Sequence, residues 1–431
     1  MIIDATRMCE VLVGLPDVNV LGVVDVAEAP VEVVIEQRVG RPRCAGCGEP
    51  ARVKDRPDVS LVDLPCFGRA ARLVWRKHRW ECPTVSCPTG SWTAEDVRIA
   101  APRMGLSDRA GRWATMQVGR HGRSVAEVAA DLECDWHTVN DAVIAFGTAL
   151  VEDDCERIGE PTAVGLDETL FAREGPFRTQ CWSTQIVDVA HGRLLDVVAG
   201  RDSVEPCAWF AARSVEWRDR IRWATLDLSS SYRLVFDTML PDAVQVADPF
   251  HVVRLANSAL DECRRRVQNE TVGHRGRKAD PLYRCRRRLV MARERLSVDG
   301  HERLMGLLAA GDPKREVWFA WNAKEVVRQI YDHTDVQLAE AWVDEIGRDF
   351  TDNQMPFEVR RLGRTIRRWR DQIVAWHRAH VSNGPTEAIN NLVKRVKRVA
   401  FGFRRFEHYR IRALLYAGKP NWDLLATITP R

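Results

Sequence analysis

The strongest constraint on the fold comes from three short apolar segments in the middle of the chain, each of which ends in an aspartate. Segments 163–167, 221–227 and 243–248 have the length and the Val, Ile, Leu and Ala content of buried β-strands. A single aspartate at a strand end is more often a turn or capping residue. Three of them in order along the chain favour a site formed where neighbouring strands end.

The elements around these segments indicate one type of sheet. Two further strands are predicted at 179–189 and 194–198, and helices are predicted at 204–217 and 232–239. Three antiparallel strands followed by alternating helices and strands are typical of an RNase H-like fold. The sequence therefore predicts a mixed α/β sheet in the central part of the chain.

Acids on neighbouring strands suggest metal chemistry. Their carboxylates can share two divalent cations about 3.5–4 Å apart, which would bracket a phosphoryl displacement. A third acid is expected late in the chain, on a helix that packs against the sheet. Segment 382–391 fits, because Pro385 lies near the predicted helix start and Glu387 lies in the first turn. The alternative role of Glu387 is a favourable interaction with the helix dipole alone.

The charge distribution is uneven, although the whole chain has 64 basic and 60 acidic residues. Residues 1–35 contain one basic and six acidic side chains, whereas residues 360–412 contain fifteen basic and three acidic ones. Clustered Lys and Arg favour polyanions, because phosphate neutralisation releases counterions. The alternative is a solvated helical face. The predicted DNA contacts in this region are Lys394, Arg395, Lys397, Arg398, Arg404 and Arg405.

Length and composition exclude several classes of protein. The chain has 431 residues, of which 45% are hydrophobic and 29% charged. This is typical of a globular protein with about two to four domains. No segment approaches the roughly 18 consecutive apolar residues of a membrane span, and residues 1–14 lack the basic start of a secretory signal. We therefore expect a cytoplasmic protein.

Twelve cysteines in a chain without an export signal indicate a reducing compartment, so paired cysteines predict metal binding rather than disulfide bonds. Cys44 and Cys47 form a Cys-x2-Cys pair, and Cys82 and Cys87 form a Cys-x4-Cys pair. Four thiolates in a tetrahedral arrangement are a common structural zinc site. The sequence therefore predicts a structural Zn²⁺ in an N-terminal β module.

Segment 124–143 has the pattern of a helix-turn-helix. Ser124 and Glu127 have capping-box spacing, and a short turn at 133–135 precedes a second helix. In a DNA-binding motif the start of that second helix would face the bases. The alternative is a helical hairpin inside a bundle. The predicted DNA contacts are Trp136, His137, Thr138 and Asn140.

Together these motifs resemble the ISL-type bacterial insertion-sequence transposases over essentially the whole chain. The resemblance rests on the two cysteine pairs and on Gly165-Leu166-Asp167-Glu168, Thr225-Leu226-Asp227, Ala247-Asp248-Pro249-Phe250-His251 and Asn383-Gly384-x-x-Glu387-x-x-Asn390. One departure is Leu228, where the family often has Met, a volume-conserving change.

The resemblance implies that Asp167, Asp227 and Glu387 bind two Mg²⁺ ions, for which Mn²⁺ would substitute. Glu168 follows Asp167 directly, but neighbouring side chains of a strand point to opposite faces, so we expect only Asp167 to bind metal. Accessory residues near the site, outside the triad, would be Asp248, His251, Asn383 and Asn390.

The fold expected from the motifs and the resemblance is multidomain α/β. Its parts are a zinc-binding domain at 1–100, a helix-turn-helix domain at 101–155, an RNase H-like core at 156–257, a helical insertion at 258–380, and the C-terminal part of the core with the third acid at 381–431.

The implied function is that of a bacterial DDE transposase. It would bind the terminal inverted repeats of its element, cut the DNA ends and join the freed 3′-hydroxyl to target DNA. Joining two ends requires two protomers, so we expect a homodimer on double-stranded DNA, associated with the nucleoid and without a membrane partner. Alternatives are a non-catalytic DNA-binding regulator and a structure-specific nuclease. The three acids argue against the regulator, and the nuclease differs only in the fate of the 3′-hydroxyl.

Overall fold

The computed structural model describes residues 5–430, which form two compact units. Unit 1 contains the described residues up to Gly159, the segment Phe171–Glu174, and the residues from Asn391 onward. Unit 2 contains Glu160–Leu170 and Gly175–Asn390. Within the described range, none of the helices combines the length and the apolar character needed to cross a membrane. The architecture is α/β with several sheets, as the sequence predicts.

The secondary structure elements are numbered in chain order. The strands are β1 (Val18–Val24), β2 (Val31–Gln37), β3 (Arg52–Asp55), β4 (Asp58–Cys66), β5 (Arg69–Arg76), β6 (Arg79–Glu81), β7 (Ser91–Thr93), β8 (Ala163–Glu174), β9 (Thr179–Asp188), β10 (Arg193–Ala199), β11 (Trp223–Leu226) and β12 (Val244–Ala247). The helices are α1 (Ala5–Val13), α2 (Asp108–Thr115), α3 (Val125–Asp131), α4 (Trp136–Asp153), α5 (Val204–Ala211), α6 (Val215–Asp219), α7 (Ser230–Met239), α8 (Pro249–Val272), α9 (Pro281–Val290), α10 (Val298–Gly311), α11 (Glu316–Gln329), α12 (Val336–Asp349), α13 (Phe357–Arg368), α14 (Arg370–Ala379), α15 (Gly384–Val399) and α16 (Phe406–Ala417).

Unit 1 contains two small sheets. The larger has the strand order β1-β2-β5-β4, in which β2 and β5 are parallel and the other pairs are antiparallel. Alternating apolar residues cover one face of this sheet, and Ile35, Leu73 and Trp75 are almost fully buried there. The smaller sheet has the order β3-β6-β7. The acidic N-terminal strands thus belong to a sheet with its own core.

The predicted helical pair is present as α3 and α4 in unit 1. The Ser124 hydroxyl accepts a hydrogen bond from the Glu127 N–H at 3.1 Å, and the Glu127 carboxylate accepts one from the Ser124 N–H at 2.8 Å. This confirms the capping box. Asp135 begins the second helix by accepting a hydrogen bond from the Thr138 N–H at 3.0 Å.

Helix α16 packs closely on α4. A Cβ atom at Gly147 would lie only 2.8–2.9 Å from the side chains of Leu415 and Ile411, so the approach of the two helices requires glycine. Gly119 faces Trp422 and Leu415 in the same way. The C-terminal helix therefore completes the core of the unit that contains α3 and α4.

The sheet of unit 2 has the strand order β10-β9-β8-β11-β12. A short turn at 175–178 joins β8 to β9, β9 and β10 are antiparallel, and β11 is parallel to both β8 and β12. All five predicted strands exist, although β8 extends well past 167. The prediction of one helix at 204–217 is wrong, because Ser214 accepts a hydrogen bond from the Trp217 N–H and begins a separate helix, α6.

Most of the rest of unit 2 is helical. Helix α8 runs for 24 residues without interruption and crosses the domain boundary expected at 257/258. It begins at Asp248, whose carboxylate caps it, and ends at Gly273 with a φ of 73°. The ammonium group of Lys324 is fully buried and donates to the carbonyls of Leu289 and Met291 at the end of α9. The buried charge of Lys324 is thus matched to hydrogen-bond acceptors.

Candidate active site

Parallel pairing of β8 with β11 brings Asp167 and Asp227 together. Thr225 is opposite Gly165 in the register, so each aspartate lies two residues further along neighbouring strands. One carboxylate oxygen from each of Asp167, Glu168 and Asp227 lies within 4.8 Å of the other two. Two of the three predicted metal ligands are therefore adjacent in the fold, together with an acid that the sequence argument excluded.

The expectation that Glu168 points away from the site is wrong. Strand alternation fixes the direction of the Cα–Cβ bond, but a glutamate carboxylate lies two rotatable bonds beyond Cβ and can return toward the same edge. Here the buried Tyr232 hydroxyl donates to Glu168 Oε2 at 3.0 Å, and Tyr232 is also within 3.2 Å of Thr184 Oγ1. Nothing in the sequence around Tyr232 distinguishes it from an ordinary core aromatic of α7.

The three carboxylates lie in an environment that disfavours their negative charges. Burial and the neighbouring charges of Asp227 and Glu168 raise the pKa of Asp167 to about 6. Burial is also the main cause of the raised pKa values of Glu168 and Asp227. The Oδ1 atom of Asp227 is buried and has no hydrogen-bond partner among the described residues. A divalent cation would satisfy this oxygen and relieve the repulsion, so the donor set fits a metal site.

Helix α15 supplies the polar groups on the other side of Asp167. Asn390 Nδ2 donates to Asp167 Oδ2 at 2.6 Å. Glu387 lies in the first turn of the same helix, three residues before Asn390 and therefore on the same side. Among the described residues, the group of acids within 4.8 Å of each other does not include Glu387. The structure places Glu387 on the helix that contacts the site, and Asn390 makes the direct contact.

Asp248 connects three elements behind the acids. Its carboxylate accepts hydrogen bonds from the Asn383 N–H at 2.9 Å and lies 3.0 Å from Nδ1 of His251. Burial opposes ionisation of Asp248, but these hydrogen bonds outweigh it and lower its pKa. For His251, burial is likewise outweighed by Asp248 and the nearby acids, which raise its pKa. Asn383 is fully buried, and its Oδ1 accepts from Thr225 Oγ1 at 3.1 Å.

The backbone at the site is tightly constrained. A Cβ atom at Gly165 would lie 2.5–2.7 Å from polar side-chain atoms of Thr386, Thr225 and Asn383. Glycine at this position therefore lets the start of α15 approach β8 and β11 directly. Leu228, immediately after Asp227, has a φ of 67°, which is unfavourable for a branched side chain. Such local strain is often found at functional sites.

The predicted cysteine cluster is assembled in unit 1. Ligand atoms of Cys44, Cys47, Cys82 and Cys87 lie within 4.8 Å of one another. The Sγ atoms of Cys44 and Cys87 are 3.6 Å apart, and those of Cys47 and Cys82 are 3.4 Å apart. Tetrahedral thiolates about 2.3 Å from a zinc ion would be about 3.8 Å apart. The distances are too long for disulfides and close to those of a tetrahedral metal site.

The predicted DNA contacts differ in their exposure. On α4, Trp136 is 45% exposed and His137 is also exposed, whereas Thr138 donates its hydroxyl to Asp135. Asn140 is only 4% exposed and is not available for DNA contact in this conformation. It lies one position after Val139 on the face of α4 that packs into the core, where the residues are buried.

The basic segment after Asn390 is largely accessible. Lys397 is half-buried, and burial lowers its pKa. The exposed residues of this set are Lys394, Arg395, Arg398, Arg404 and Arg405. The structure thus leaves five of the six predicted cations on the surface.

Comparison with known proteins identifies relatives along most of the chain. Residues 164–413 match a family model of the ISL3 type that is described as "Transposase". The transposase for insertion sequence element IS1557 of Mycobacterium tuberculosis is 28% identical over 396 residues, covering 84% of this chain and 82% of the relative. The transposase for insertion sequence element IS1001 of Bordetella parapertussis is 26% identical over 394 residues, covering 86% and 88%.

A solved structure also shows a distant likeness. The chain aligns with the Drosophila P element transposase strand transfer complex over 76% of its length and 96% of that chain, with a TM-score of 0.38 and 7% identity. This likeness is too distant to transfer residues or domains.

Proposed function

Because this chain belongs to the ISL3 family of transposases and is a DDE transposase of an insertion sequence, we propose that Asp167, Asp227 and Glu387 are its catalytic metal ligands. The observation that carries this proposal is the proximity of the carboxylates of Asp167, on β8, and Asp227, directly after β11, where Asp227 Oδ1 is buried without a partner among the described residues. We include Glu168 as an additional acid at the metal site, since its carboxylate is part of the same cluster.

The metal at this site is proposed to be Mg²⁺, as two ions, with Mn²⁺ as a substitute. Hard oxygen ligands favour such cations over softer metals. When bound, the ions would supply charge stabilisation for the attacking and leaving oxygens of DNA cleavage and strand transfer. The acidic cluster contributes negative charge, and the carboxylates need no covalent step of their own.

The residues around the acids have positioning roles in this proposal. Asn390 would hold the Asp167 carboxylate in one orientation through its 2.6 Å hydrogen bond. Asp248 and Asn383 would fix α15 against the sheet and thereby hold Glu387 in a constant position relative to the other acids. His251 would keep Asp248 ionised in this role. Rigid support of this kind preserves metal-site geometry.

We infer that the sheet of unit 2 is an RNase H-like core. Its support is the strand order, in which a hairpin-connected group of strands is followed by two parallel strands joined by helices. We keep the proposed scheme of five domains, at 1–100, 101–155, 156–257, 258–380 and 381–431. Helix α8 continues from the core into the insertion without a break.

We propose that α3 and α4 form a helix-turn-helix that recognises the terminal inverted repeats. Exposed Trp136 and His137 at the start of α4 support this role, whereas Asn140 is buried and would make no direct contact with DNA. The basic segment 394–405 would bind phosphates and thereby position rather than select DNA. Strand transfer of two ends would be carried out by a homodimer assembled on DNA, within the bacterial cytoplasm.

The cysteine cluster is proposed to bind one structural Zn²⁺. All four ligands are thiolates, which leaves no open position for catalysis. Gly46 lies so close to Thr89 and to the Cys87 sulfur that a Cβ atom there would collide with them. The first cysteine pair and the segment after Cys82 are therefore shaped to meet around a common centre.

The proposed function is tested by strand cleavage. The protein is incubated with Mg²⁺ and labelled DNA that carries the flanks of its own gene, beside an Asp167→Ala variant. We expect nicks at a defined end that disappear in the variant. Tight binding without cleavage by either protein would contradict the catalytic proposal and favour a regulator. Cleavage without joining of the 3′-hydroxyl to a target duplex would favour a nuclease.

A further inference from the structure

A cleft in the helical part of unit 2 is lined mainly by basic side chains. It has a volume of about 520 Å³ and lies among the loop after α8, helix α9 and helix α10. Its lining residues are Gly276, Lys278, Tyr283, Arg284, Arg286, Arg288, Arg303 and Leu307. Five of these eight residues are cations and none is acidic. We propose that this cleft binds the phosphate backbone of duplex DNA, an inference that rests on the proposed function and adds a further DNA contact to the helix pair α3/α4 and the basic segment 394–405.

Other arginines of this helical region differ from those of the cleft because they are paired with acidic side chains. Arg264, Arg266, Arg328 and Arg370 each form ion pairs with acids, for example Arg266 with Glu358 at 2.8 Å. In contrast, the described part of the chain offers no carboxylate within 4.0 Å of the charged groups of the cleft cations. Acidic side chains thus pair with arginines elsewhere in this helical region but not in the cleft.

A group of unpaired cations is unfavourable in the free protein because like charges repel. Asp280, which lies between the lining residues Lys278 and Tyr283 in the chain, is already engaged. Its carboxylate accepts hydrogen bonds from the Arg277 N–H at 2.5 Å and from Gln268 Nε2 at 3.4 Å. The cleft therefore retains its positive charge, which an anionic ligand would neutralise.

The cleft is preformed rather than dependent on a loose loop. Gly276 has a φ of 111°, and a Cβ atom there would collide with Gln268 and Tyr283, so the loop folds directly onto α8 and α9. The guanidinium of Arg286 lies 3.8 Å from the centre of the Tyr283 ring and donates to the Tyr283 carbonyl at 2.6 Å. Preorganised arginines lose less conformational freedom on binding.

The chemistry of the lining favours phosphate over bases. Arginine and lysine bind phosphate oxygens, whereas stacking on a base would require an open aromatic face. The one aromatic residue of the cleft, Tyr283, already has Arg286 over its ring. Contacts of this kind are independent of sequence. The site would hold the DNA in place while specificity comes from elsewhere in the protein.

The test compares two triple variants of the full-length protein. The cleft variant combines Arg284→Gln, Arg288→Gln and Arg303→Gln. The matched control combines Arg178→Gln, Arg222→Gln and Arg348→Gln, three exposed arginines of the same unit outside both the cleft and the basic segment 360–412. Both variants lose the same net charge. Binding to a short labelled duplex of random sequence is measured by anisotropy at several salt concentrations, without Mg²⁺.

We expect the slope of log affinity against log salt to become shallower by about three in the cleft variant, since each lost phosphate contact contributes about 0.9. The control should change by less than about one. Equal changes in the two variants would overturn the proposal, because net charge alone would explain them. Displacement of the duplex from the wild type by millimolar inorganic phosphate would also overturn it, since the cleft would then be a single-anion site.

Three further measurements distinguish phosphate binding by the cleft from a structural role, from base recognition and from the catalytic function. The melting temperature of the cleft variant should equal or exceed that of the wild type, since repulsion is removed, and a marked decrease would identify structural arginines and overturn the proposal. A loss of affinity in the cleft variant that is confined to duplexes with the element's ends would indicate base contacts and also overturn the proposal.

The cleavage assay separates this proposal from the proposed function. If the wild type fails to cleave end-containing DNA but the slope difference persists, the proposed catalytic function fails and the phosphate cleft stands.

Discussion

The cysteine cluster of unit 1 and the carboxylate cluster of unit 2 are two candidate metal sites built on opposite principles. The four cysteines come from two short sequence pairs, and their sulfurs are already 3.4–3.6 Å apart in matched pairs. The acids come from two strands and face a helix that begins more than 150 residues later in the chain. The first site joins two segments whose contacting cysteines are 35 and 43 positions apart, and the second joins segments more than 150 residues apart.

The two clusters also differ in their effect on folding. Structural zinc held by thiolates contributes directly to stability, because the unfolded chain has no preformed site and the free energy of metal binding therefore favours the folded state. The buried acids repel each other, so the protein without metal is less stable than it would be with neutral groups there. The comparison predicts that a metal bound by the cysteines would stabilise the fold, whereas the fold would hold the acids in place for a metal at the second site.

The largest effect is expected at the cysteine site. Cys44→Ser should remove zinc and destabilise unit 1 by several kcal/mol, since structural zinc sites contribute about 10 kcal/mol or more. Elemental analysis and thermal unfolding measure the two effects. Cys155→Ser, at an exposed cysteine outside the cluster, is the control and should retain zinc. A Cys44→Ser protein with its zinc intact would show that the cluster is not the site.

The second prediction separates the two candidate third ligands, Glu387 and Glu168. Glu387→Gln should reduce Mg²⁺-dependent cleavage about 10³-fold, because loss of a ligand removes transition-state charge stabilisation. Glu168→Gln keeps its contact with Tyr232 and should reduce cleavage only about tenfold. Initial rates on end-containing DNA provide the measurement. If Glu168→Gln reduced cleavage more than Glu387→Gln, Glu168 would be the third ligand and Glu387 would have only a structural role in α15.

The third prediction concerns the support of Asp167. Asn390→Ala removes the 2.6 Å hydrogen bond to Asp167 and should weaken Mg²⁺ binding about 10–100-fold. Titration of cleavage with Mg²⁺ should show a shifted midpoint and a nearly unchanged rate at saturation. A lower rate at saturating metal with the same midpoint would contradict a positioning role.

The smallest expected effect is on the stability of the metal-free protein. The pKa of Asp167 is about 6 in the folded state against 3.8 for the free side chain. The folded protein therefore binds more protons than the unfolded chain between these values, and stability falls as pH rises through this window. At pH 7, Asp167→Asn should be more stable than the wild type by on the order of 2 kcal/mol.

Thermal melts at several pH values without metal check this sign. Asp167→Asn should show a flatter pH dependence across the window, and Asp242→Asn, at an exposed acid, should behave like the wild type. An Asp167→Asn protein that is less stable at pH 7 would show that the carboxylate makes a favourable structural contact instead.

Local patterns in the sequence predicted the cysteine pairs, the helix cap and the strands of the central sheet. The Cys-x2-Cys and Cys-x4-Cys spacings predicted a cluster that the fold assembles, and the Ser124–Glu127 spacing predicted a capping box that is present. The capping box and the spacing within each cysteine pair depend on neighbours a few residues apart. The meeting of the two pairs, whose contacting sulfurs are 35 and 43 positions apart in the chain, depends on the fold of unit 1. The strands that contain Asp167 or precede Asp227 and Asp248 were also evident from their apolar runs, although β8 continues to Glu174.

Only the tertiary structure decided which side chains share a site. It placed Glu168 with Asp167 and Asp227 against the expectation from strand alternation, put Asn390 on Asp167, and buried Asn140. It also showed which arginines form ion pairs with acids and which ones, in the cleft, do not. These outcomes depend on strand register, side-chain rotation and helix packing between residues far apart in the chain, and no local pattern encodes those distances.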